Sequence, residues 1–300
     1  MVKGLAFLDS TSETHGVISN HIATIEFAKC IANKALGKEF DCKQLCIFFE
    51  TQSSEGWFVE YFGADAGYQS LLLHYCIVGI KSLNLAGFEK EIDRAIKFVK
   101  KFAFSDGSFA GELGSRGTSI FYPSCIIADK NTSQWFIESH AESLECVNPC
   151  TVDSNNFIPV FNSWAYFYKN LGDVGSKSAS QPKPFEYLKE AGLVFYNTDK
   201  VKVVVSLNTG AIKLLSYKDD VWVDESISSF QDGKLTTQGI KVVNLKVTEK
   251  YTSFEYQQNQ RNEISNGLLK AIAIRFASVL SYYIPAFQSL MKKLLVRLVM

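Results

Sequence analysis

The sequence has few residues that could bind a metal through imidazole, and it has no excess of charge of either sign. Among 300 residues there are four histidines, and 31 basic residues balance 31 acidic ones. His15 and His21 are six positions apart (21 − 15), which is not the spacing of a helical HxxxH pair, so we infer no metal. No Lys/Arg-rich run with interleaved aromatic residues precedes the C-terminus, so the sequence gives no indication of a nucleic-acid partner.

Segments that direct a chain to or through a membrane are also missing. Residues 1–12 lack a basic region followed by an apolar core, so we recognise no signal peptide. The uncharged run at residues 276–291 is sixteen residues long and contains Pro285, which is short of the roughly 18–20 residues that cross a bilayer. We expect no full transmembrane segment, and the compartment stays unassigned.

Cysteine spacing argues against the common cysteine sites. Seven cysteines are present, and the pairs Cys42/Cys46 and Cys146/Cys150 are four positions apart, unlike a zinc knuckle or a redox CxxC pair. We therefore interpret the cysteines as reduced thiols of the core.

What the sequence does contain is enough apolar residues for two folded domains. Hydrophobic residues make up 47% of the chain and charged residues 21%, which is typical of a globular protein. In the first half, apolar residues recur at helical spacing and predict helices at residues 15–36, 42–52, 68–85, 89–102 and 160–168. We assign residues 1–171 to a helical unit with long loops that contain glycine.

The second half has the spacing of strands. Residues 172–184 are rich in Gly, Ser, Lys and Pro and predict a linker. Alternating patterns then predict strands at 192–195, 201–207, 211–217, 240–247 and 251–256, with a hairpin turn at Asn208-Thr209-Gly210. We therefore predict an α+β, multidomain chain in which residues 185–262 form an antiparallel sheet, interpreted as a β-sandwich.

Residues 263–300 form a third pattern. From residue 264 onward the segment has no acidic residue, and its basic residues are Lys270, Arg275, Lys292, Lys293 and Arg297. We predict a basic amphipathic helical segment that either packs on the helical unit or contacts a membrane surface.

Two similar turns suggest an internal repeat. Residues 55–61 read EGWFVEY and residues 106–112 read DGSFAGE, an offset of 51 (106 − 55). This is about the length of a helical hairpin, so we predict stacked helix pairs. The repeat brings Tyr68, Arg116 and Tyr122 onto loops at one end of the stack, where chemistry is often found.

These motifs together resemble those of the heparinase II/III and chondroitin AC lyase group. The resemblance covers about residues 10–260 and includes an HxxxxNH motif (His15 to His21), the two acid-Gly-aromatic turns, Gly67-Tyr68 and the SRGTS loop at 115–119. It implies a partial (α/α) toroid followed by a β-sandwich. It also implies β-elimination on an acidic, uronate-containing polysaccharide, with no metal or organic cofactor. More helices normally precede the first motif in that group, so the resemblance leaves open that the chain is truncated or part of a longer protein.

The resemblance also implies roles for individual residues. Tyr68 would remove the C5 proton and return one to the leaving oxygen, and Arg116 would lower the pKa of Tyr68 and bind the sugar. Asn20 and His21 would neutralise the uronate carboxylate. Tyr122 is a second candidate for proton transfer. The group has a histidine where this chain has Tyr61, and His21 or His15 is the candidate replacement.

Other interpretations of the same residues remain open. Asn20 and His21 could cap or bridge buried backbone groups, and Tyr68 could be a core aromatic residue. Trp57 and Tyr61 could form a sugar-stacking surface or pack in the core. The acids considered in these loops are Asp65 and Glu112, which could serve a toroid glycoside hydrolase or pair with Arg116.

Two other functions therefore remain besides the lyase. One is the hydrolase that would use Asp65 and Glu112, and the other is a non-catalytic glycan-binding or assembly protein. The candidate substrate contacts are Trp57, Tyr61, His15 and Glu112. The oligomeric state stays unassigned.

Overall fold

The structure is a computed structural model. It describes residues 2–11, 17–61, 63–104, 108–129, 133, 136–137, 152, 154–171, 183–208, 210–216, 221–225, 229–231, 234–236 and 240–258. His15, the first two residues of the second turn (106–107), residues 172–182 of the predicted linker and the predicted C-terminal segment 263–300 all lie outside the described residues.

The first half of the described chain is helical. It contains six α-helices, which are α1 (Val2–Asp9), α2 (Ser19–Ala35), α3 (Lys43–Glu50), α4 (Ala66–Leu83), α5 (Glu89–Lys100) and α6 (Ser154–Asn170). Short 3₁₀ helices occur at Gly111–Leu113 and Pro123–Ile126. The predictions of α2 to α5 are confirmed, whereas α1 was not predicted. The predicted start of α6 at residue 160 was wrong, because the helix begins at Ser154 and includes Pro159.

Helix α2 begins later than predicted for a tertiary reason. Ile18 is extended (φ −119°, ψ 92°) and forms an isolated antiparallel bridge with Glu60. The residue that precedes the helix is thus held by a segment some forty positions away, and this pairing is not visible in local apolar spacing.

Helix α4 is central in the helical unit because it packs against both α2 and α5. Gly79 of α4 permits this close approach, since a Cβ atom there would lie 2.3 Å from Cδ1 of Phe27 in α2. The helical unit encloses an aromatic core in which the rings of Phe48 and Phe58 stack with centroids 4.8 Å apart.

The two predicted turns share one backbone hydrogen bond. Ser53 N donates to Trp57 O at 2.9 Å, and Phe104 N donates to Ser108 O at 2.9 Å. Donor and acceptor are each displaced by the 51 positions of the sequence repeat (104 − 53 and 108 − 57). The repeat is therefore present in the backbone as well as in the sequence.

The second half of the described chain is an antiparallel β structure. A five-stranded sheet follows chain order, with β1 (Phe185–Leu188), β2 (Leu193–Asn197), β3 (Val201–Ser206), β4 (Ala211–Ser216) and β5 (Val221–Glu225). Two further hairpins pair β6 (Ser229–Gln231) with β7 (Lys234–Thr236) and β8 (Ile240–Val247) with β9 (Thr252–Gln258). The α+β class is confirmed, and β1, β5, β6 and β7 were not predicted.

Both faces of the five-stranded sheet are covered, because successive side chains of a strand point to opposite faces. On one face Phe195 and Val204 belong to the same core as the helices, and the Phe195 ring meets the Phe102 ring with centroids 5.4 Å apart. On the other face, Val194 and Val205 form a second core, to which Val247 of β8 and Phe254 of β9 also contribute.

Polar contacts also join the sheet to the helical unit. Lys101, just after α5, forms an ion pair with Glu186 of β1. Lys202 of β3 is buried and donates to the backbone oxygen of Ala103. Burial lowers the pKa of Lys202 to about 7, and the neighbouring charge of Lys101 adds to this effect.

Candidate functional site

The candidate site is built on the first turn of α4. Asp65 caps this helix, and its Oδ1 accepts a hydrogen bond from Tyr68 N at 2.9 Å. The cap fixes the backbone of Tyr68 in the first helical turn and leaves its side chain half-buried. Tyr68 therefore lies at a rigid helix start and not on a separate loop.

The loop that carries Arg116 packs directly on this helix start. Arg116 N donates to Oδ2 of Asp65 at 2.8 Å. The approach needs glycine on both sides, because a Cβ atom on Gly114 would lie 2.7 Å from Asp65 Oδ2 and one on Gly67 would lie 2.3 Å from Thr118 O. Asp65 thus connects the Tyr68 and Arg116 segments through backbone donors.

The side chain of Arg116 is exposed and stacks on Tyr61. Its Cζ atom lies 4.1 Å from the centroid of the Tyr61 ring, a cation–π contact. Tyr61 has a φ of 60°, in the left-handed region that side chains rarely adopt. Its N–H donates to Val17 O at 2.9 Å, which ties this conformation to the segment before α2.

The residue before Tyr61 is Glu60, which is buried and only 1% exposed. Its Oε1 accepts from Asn20 N at 2.9 Å and its Oε2 accepts from Asn20 Nδ2 at 3.0 Å. Asn20 is itself only 4% exposed. These contacts match the structural alternative for Asn20, in which the side chain bridges buried groups between segments.

Charges couple the residues of this site, which we name the Tyr68–Arg116 cluster (Glu60, Tyr61, Asp65, Tyr68 and Arg116). Burial raises the pKa of Tyr68, the positive charge of Arg116 lowers it, and Asp65, Tyr61 and Glu60 raise it further. Burial likewise raises the pKa of Asp65, although hydrogen bonds from the N–H groups of Tyr68, Arg116 and Thr118 oppose that effect. The cluster holds two buried carboxyl groups beside one exposed cation.

Glu60 was not among the predicted site residues. Burial raises its pKa to about 7, while the two hydrogen bonds from Asn20 and the charge of Arg116 act in the opposite direction. The sequence feature that could have indicated Glu60 is its position directly before Tyr61. An acidic residue in such an aromatic segment has few ways to reach water.

The remaining predicted neutralisers are not shown to join the cluster. His21 lies on α2, next to Asn20, and is exposed. His15 lies outside the described residues. The Asn20 side chain is directed towards Glu60, and the hypothesis that the Asn20–His21 pair faces a substrate stays a prediction.

Trp57 lies in the core and not on an open surface. It is 8% exposed, and its Nε1 donates to Oε2 of Glu55 at 3.1 Å. The same carboxylate accepts the backbone N–H groups of Glu190 and Ala191, each at 2.9 Å, in the turn between β1 and β2. The first turn therefore joins the helical unit to the sheet, and the Trp57 ring offers no open face for a sugar.

Tyr122 also has a buried role. It is 2% exposed, its N–H donates to Ser70 Oγ at 3.1 Å, and its hydroxyl donates to Asn156 Oδ1 at 3.0 Å. A second proton acceptor for a bound glycan would have to be accessible, so these contacts favour a structural function for Tyr122.

Close to Tyr122 is a buried polar chain that the sequence did not indicate. His74 Nδ1 lies 2.7 Å from Ser124 Oγ, which lies 2.8 Å from Ser163 Oγ. Burial lowers the pKa of His74 to about 4. Both serines are fully buried, so the chain links α4, the 3₁₀ helix at Pro123–Ile126 and α6, and no substrate can reach it.

The two acids considered for a hydrolase, Asp65 and Glu112, each have other partners in the structure. Three backbone N–H groups donate to Asp65, which is 1% exposed. Glu112 Oε1 forms an ion pair with Lys213 of β4, and its Oε2 is buried without a hydrogen-bond partner among the described residues. Glu112 therefore pairs with Lys213, and Asp65 meets Arg116 through the backbone N–H.

Three further observations concern the described part of the chain. It contains no group of three or more His, Cys, Asp or Glu side chains arranged to hold a metal ion. None of its helices combines the length and apolar character needed to cross a membrane. Cys30, Cys76 and Cys125 are buried free thiols, whereas Cys46 is exposed and Cys42 half-buried, so the core-thiol interpretation applies to only some of the cysteines.

Comparisons with known proteins found no match among protein-family models, curated proteins or solved structures. The resemblance to the heparinase II/III and chondroitin AC lyase group therefore depends on the sequence motifs alone.

Proposed function

We propose that this chain is a polysaccharide-lyase-like protein that binds an acidic, uronate-containing glycan and cleaves it by β-elimination. The observation that carries the proposal is that Asp65 joins the half-buried Tyr68 and the exposed Arg116 by accepting the backbone N–H of each, at 2.9 and 2.8 Å. A guanidinium can bind a carboxylate through two parallel hydrogen bonds. A cation for the uronate carboxylate beside a group that can accept a proton is the combination that this reaction needs.

In the proposed reaction, Arg116 binds the uronate carboxylate and Tyr68, as the phenolate, accepts the C5 proton. The electron pair of the C5–H bond forms the C4=C5 double bond, and the C4–O bond breaks. The leaving oxygen then takes a proton from the Tyr68 hydroxyl, so no water is consumed. Because burial raises the pKa of Tyr68, the reaction depends on the opposing charge of Arg116.

The fold proposed with this function is a partial (α/α) toroid followed by a β-sandwich. Support for a repeated helical hairpin comes from the common hydrogen bond of the two turns. Support for a second β layer comes from the contacts of Val247 and Phe254 with the outer face of the five-stranded sheet. The predicted segment at 263–300, proposed to pack on the helical unit or contact a membrane surface, lies outside the described residues.

The second candidate is a non-catalytic glycan-binding or assembly protein. One observation favours it: the backbone N–H and the side-chain Nδ2 of Asn20 both donate to the carboxylate of Glu60 and not to a ligand. Tyr61 also stands where the lyase group has a histidine. In this alternative, the stacked Arg116 and Tyr61 side chains bind the acidic glycan and nothing is cleaved. The hydrolase alternative is weaker, because Asp65 accepts three backbone N–H groups.

The experiment that separates these functions is incubation of the full chain with a panel of uronate polysaccharides, and with a neutral glucan as control. The lyase predicts a product that absorbs in the near ultraviolet. Binding without product would favour the second candidate, and new reducing ends without absorbance would favour a hydrolase. The absence of both binding and product with every uronate polysaccharide would contradict the proposal.

A further inference from the structure

Glu60 joins three segments that are far apart in the sequence. Its carboxylate accepts the backbone and side-chain N–H groups of Asn20 at the start of α2. Its backbone N–H donates to Gly63 O at 2.9 Å, and its backbone oxygen accepts from Ser115 Oγ at 3.1 Å. One residue therefore holds α2, the turn at 60–63 and the loop of Arg116 together.

We propose that Glu60 is a positioning residue of the Tyr68–Arg116 cluster, whose charge state sets both the orientation of the Asn20 amide and the net charge of the cluster around Tyr68. This inference rests on the proposed function only for the identification of Tyr68 as the reacting group.

The first effect follows from hydrogen-bond chemistry. An ionised carboxylate only accepts hydrogen bonds, so it holds the Asn20 amide with Nδ2 inwards at 3.0 Å from Oε2. A protonated carboxyl group carries one O–H donor. When Oε2 carries that proton, the Asn20 amide must rotate so that its Oδ1 becomes the acceptor. The Nδ2 hydrogen that Glu60 had accepted is then released and must find another acceptor.

The second effect is electrostatic. The charge of Glu60 raises the pKa of Tyr68, whereas Arg116 lowers it. Loss of the Glu60 charge therefore leaves Arg116 less opposed and favours the Tyr68 phenolate. Both effects follow from one proton, because a neutral Glu60 releases an amide hydrogen of Asn20 and leaves Tyr68 more easily ionised.

The charged and titratable groups that act on Glu60 come from every segment packed around it. The N–H donors of Asn20 and the charge of Arg116 favour its ionised form, whereas burial and Asp65 oppose ionisation. The balance places the pKa of Glu60 at about 7. The change in charge therefore falls near neutral pH.

The test uses NMR of the full chain with isotope-labelled asparagine and tyrosine, and it needs no glycan. Tyr68→Phe and Asn20→Ser assign the two signals. We expect the Asn20 side-chain signal to shift with a midpoint near pH 7, and we expect Tyr68 to ionise at lower pH in Glu60→Gln than in the wild type. Glu50→Gln, which removes an exposed carboxylate on α3, is the matched control and leaves both values unchanged.

A second variant separates charge from hydrogen bonding. Glu60→Asp keeps the charge but shortens the side chain, so we expect Tyr68 to ionise as in the wild type while the Asn20 signal changes. An Asn20 signal that is independent of pH in the wild type would overturn the inference, even if neither variant folds. An unchanged Tyr68 midpoint in a folded Glu60→Gln chain would also overturn it. Failure of the chain to bind or cleave any uronate glycan would contradict the proposed function and leave these two results intact.

Discussion

The guanidinium of Arg116 lies over the ring of Tyr61, with Cζ 4.1 Å from the ring centroid. Tyr61 itself has a φ of 60°, in the left-handed region. For a residue other than glycine this conformation costs about 1–2 kcal/mol. An exposed cation is thus held by a residue in an unfavourable backbone conformation, which is a feature of binding and catalytic sites.

Replacement of Tyr61 separates backbone strain from ring function. In Tyr61→Gly the strain disappears and the ring is lost, so we expect the free energy of unfolding to change by no more than about 1 kcal/mol. Binding of a uronate oligosaccharide should fall roughly fivefold, because the platform for Arg116 is absent. Tyr61→Phe keeps the ring and is the control. Titration calorimetry and urea denaturation measure the two effects, and wild-type affinity in Tyr61→Gly would contradict this account.

Arg116 is expected to act through its planar, two-pronged geometry as well as its charge. Arg116→Lys keeps the charge but loses paired hydrogen bonds and stacking, so uronate binding should weaken about tenfold, or roughly 1.4 kcal/mol. The matched control is Arg94→Lys on α5, where the arginine forms an ion pair with Glu91. Binding measured at two salt concentrations checks the result. Equal affinity of Arg116→Lys and the wild type would show that only charge matters.

His74 should make the fold sensitive to acid. Its pKa in the folded chain is about 4, below the ordinary value of 6.5, so between these values the unfolded chain binds a proton that the folded chain excludes. The contribution of His74 to stability is therefore complete above pH 6.5 and is lost as the pH drops towards 4, by up to roughly 3 kcal/mol. The raised pKa of Glu60 acts in the opposite direction over nearly the same range.

The measurement for His74 is urea denaturation at several pH values across this window. His74→Asn keeps a polar partner for Ser124 Oγ but does not titrate, so its stability should lack the His74 contribution and fall less than that of the wild type on acidification. His21→Asn removes an exposed imidazole and is the control. A slope as steep in His74→Asn as in the wild type would show that other groups cause the acid sensitivity.

Sequence patterns predicted the helices and strands more accurately than they predicted the contacts between side chains. Helix α5 has one apolar face and α4 has an Asp65 cap, and the strands around the hairpin at 208–210 alternate, so local spacing defines all of them. The turn repeat also anticipated that the Tyr68 and Arg116 segments would meet. That meeting depends only on stacked hairpins of similar length.

The sequence did not predict the role of a residue whose side chain suits both a buried contact and a binding surface. Asn20 reads equally well as a ligand donor or as a bridge, and its partner Glu60 is 40 positions away. Trp57 reads as a stacking surface until its Nε1 is seen to donate to Glu55. Burial of a polar group is set by the tertiary fold, so no local pattern distinguishes these alternatives.

Glu55 should contribute strongly to stability, because its carboxylate connects the helical unit to the sheet. Its carboxylate accepts three N–H groups, from Trp57, Glu190 and Ala191. Glu55→Ala leaves those donors without their acceptor, so we expect a loss of roughly 2–4 kcal/mol in the free energy of unfolding. Glu50→Ala, at an exposed position of α3, is the control. Urea denaturation checks this, and a loss no larger than that of the control would contradict it.

In the proposed reaction, the hydroxyl of Tyr68 transfers the proton in glycan cleavage. Tyr75 provides a matched control, because it lies on the same helix, is half-buried and also has its pKa raised by burial. The most direct measurement is the release of near-ultraviolet-absorbing product from a uronate polysaccharide by the wild type, Tyr68→Phe and Tyr75→Phe. We predict that Tyr68→Phe loses at least about 100-fold in rate but still binds the glycan, whereas Tyr75→Phe keeps both. Undiminished product release by Tyr68→Phe would contradict the claim.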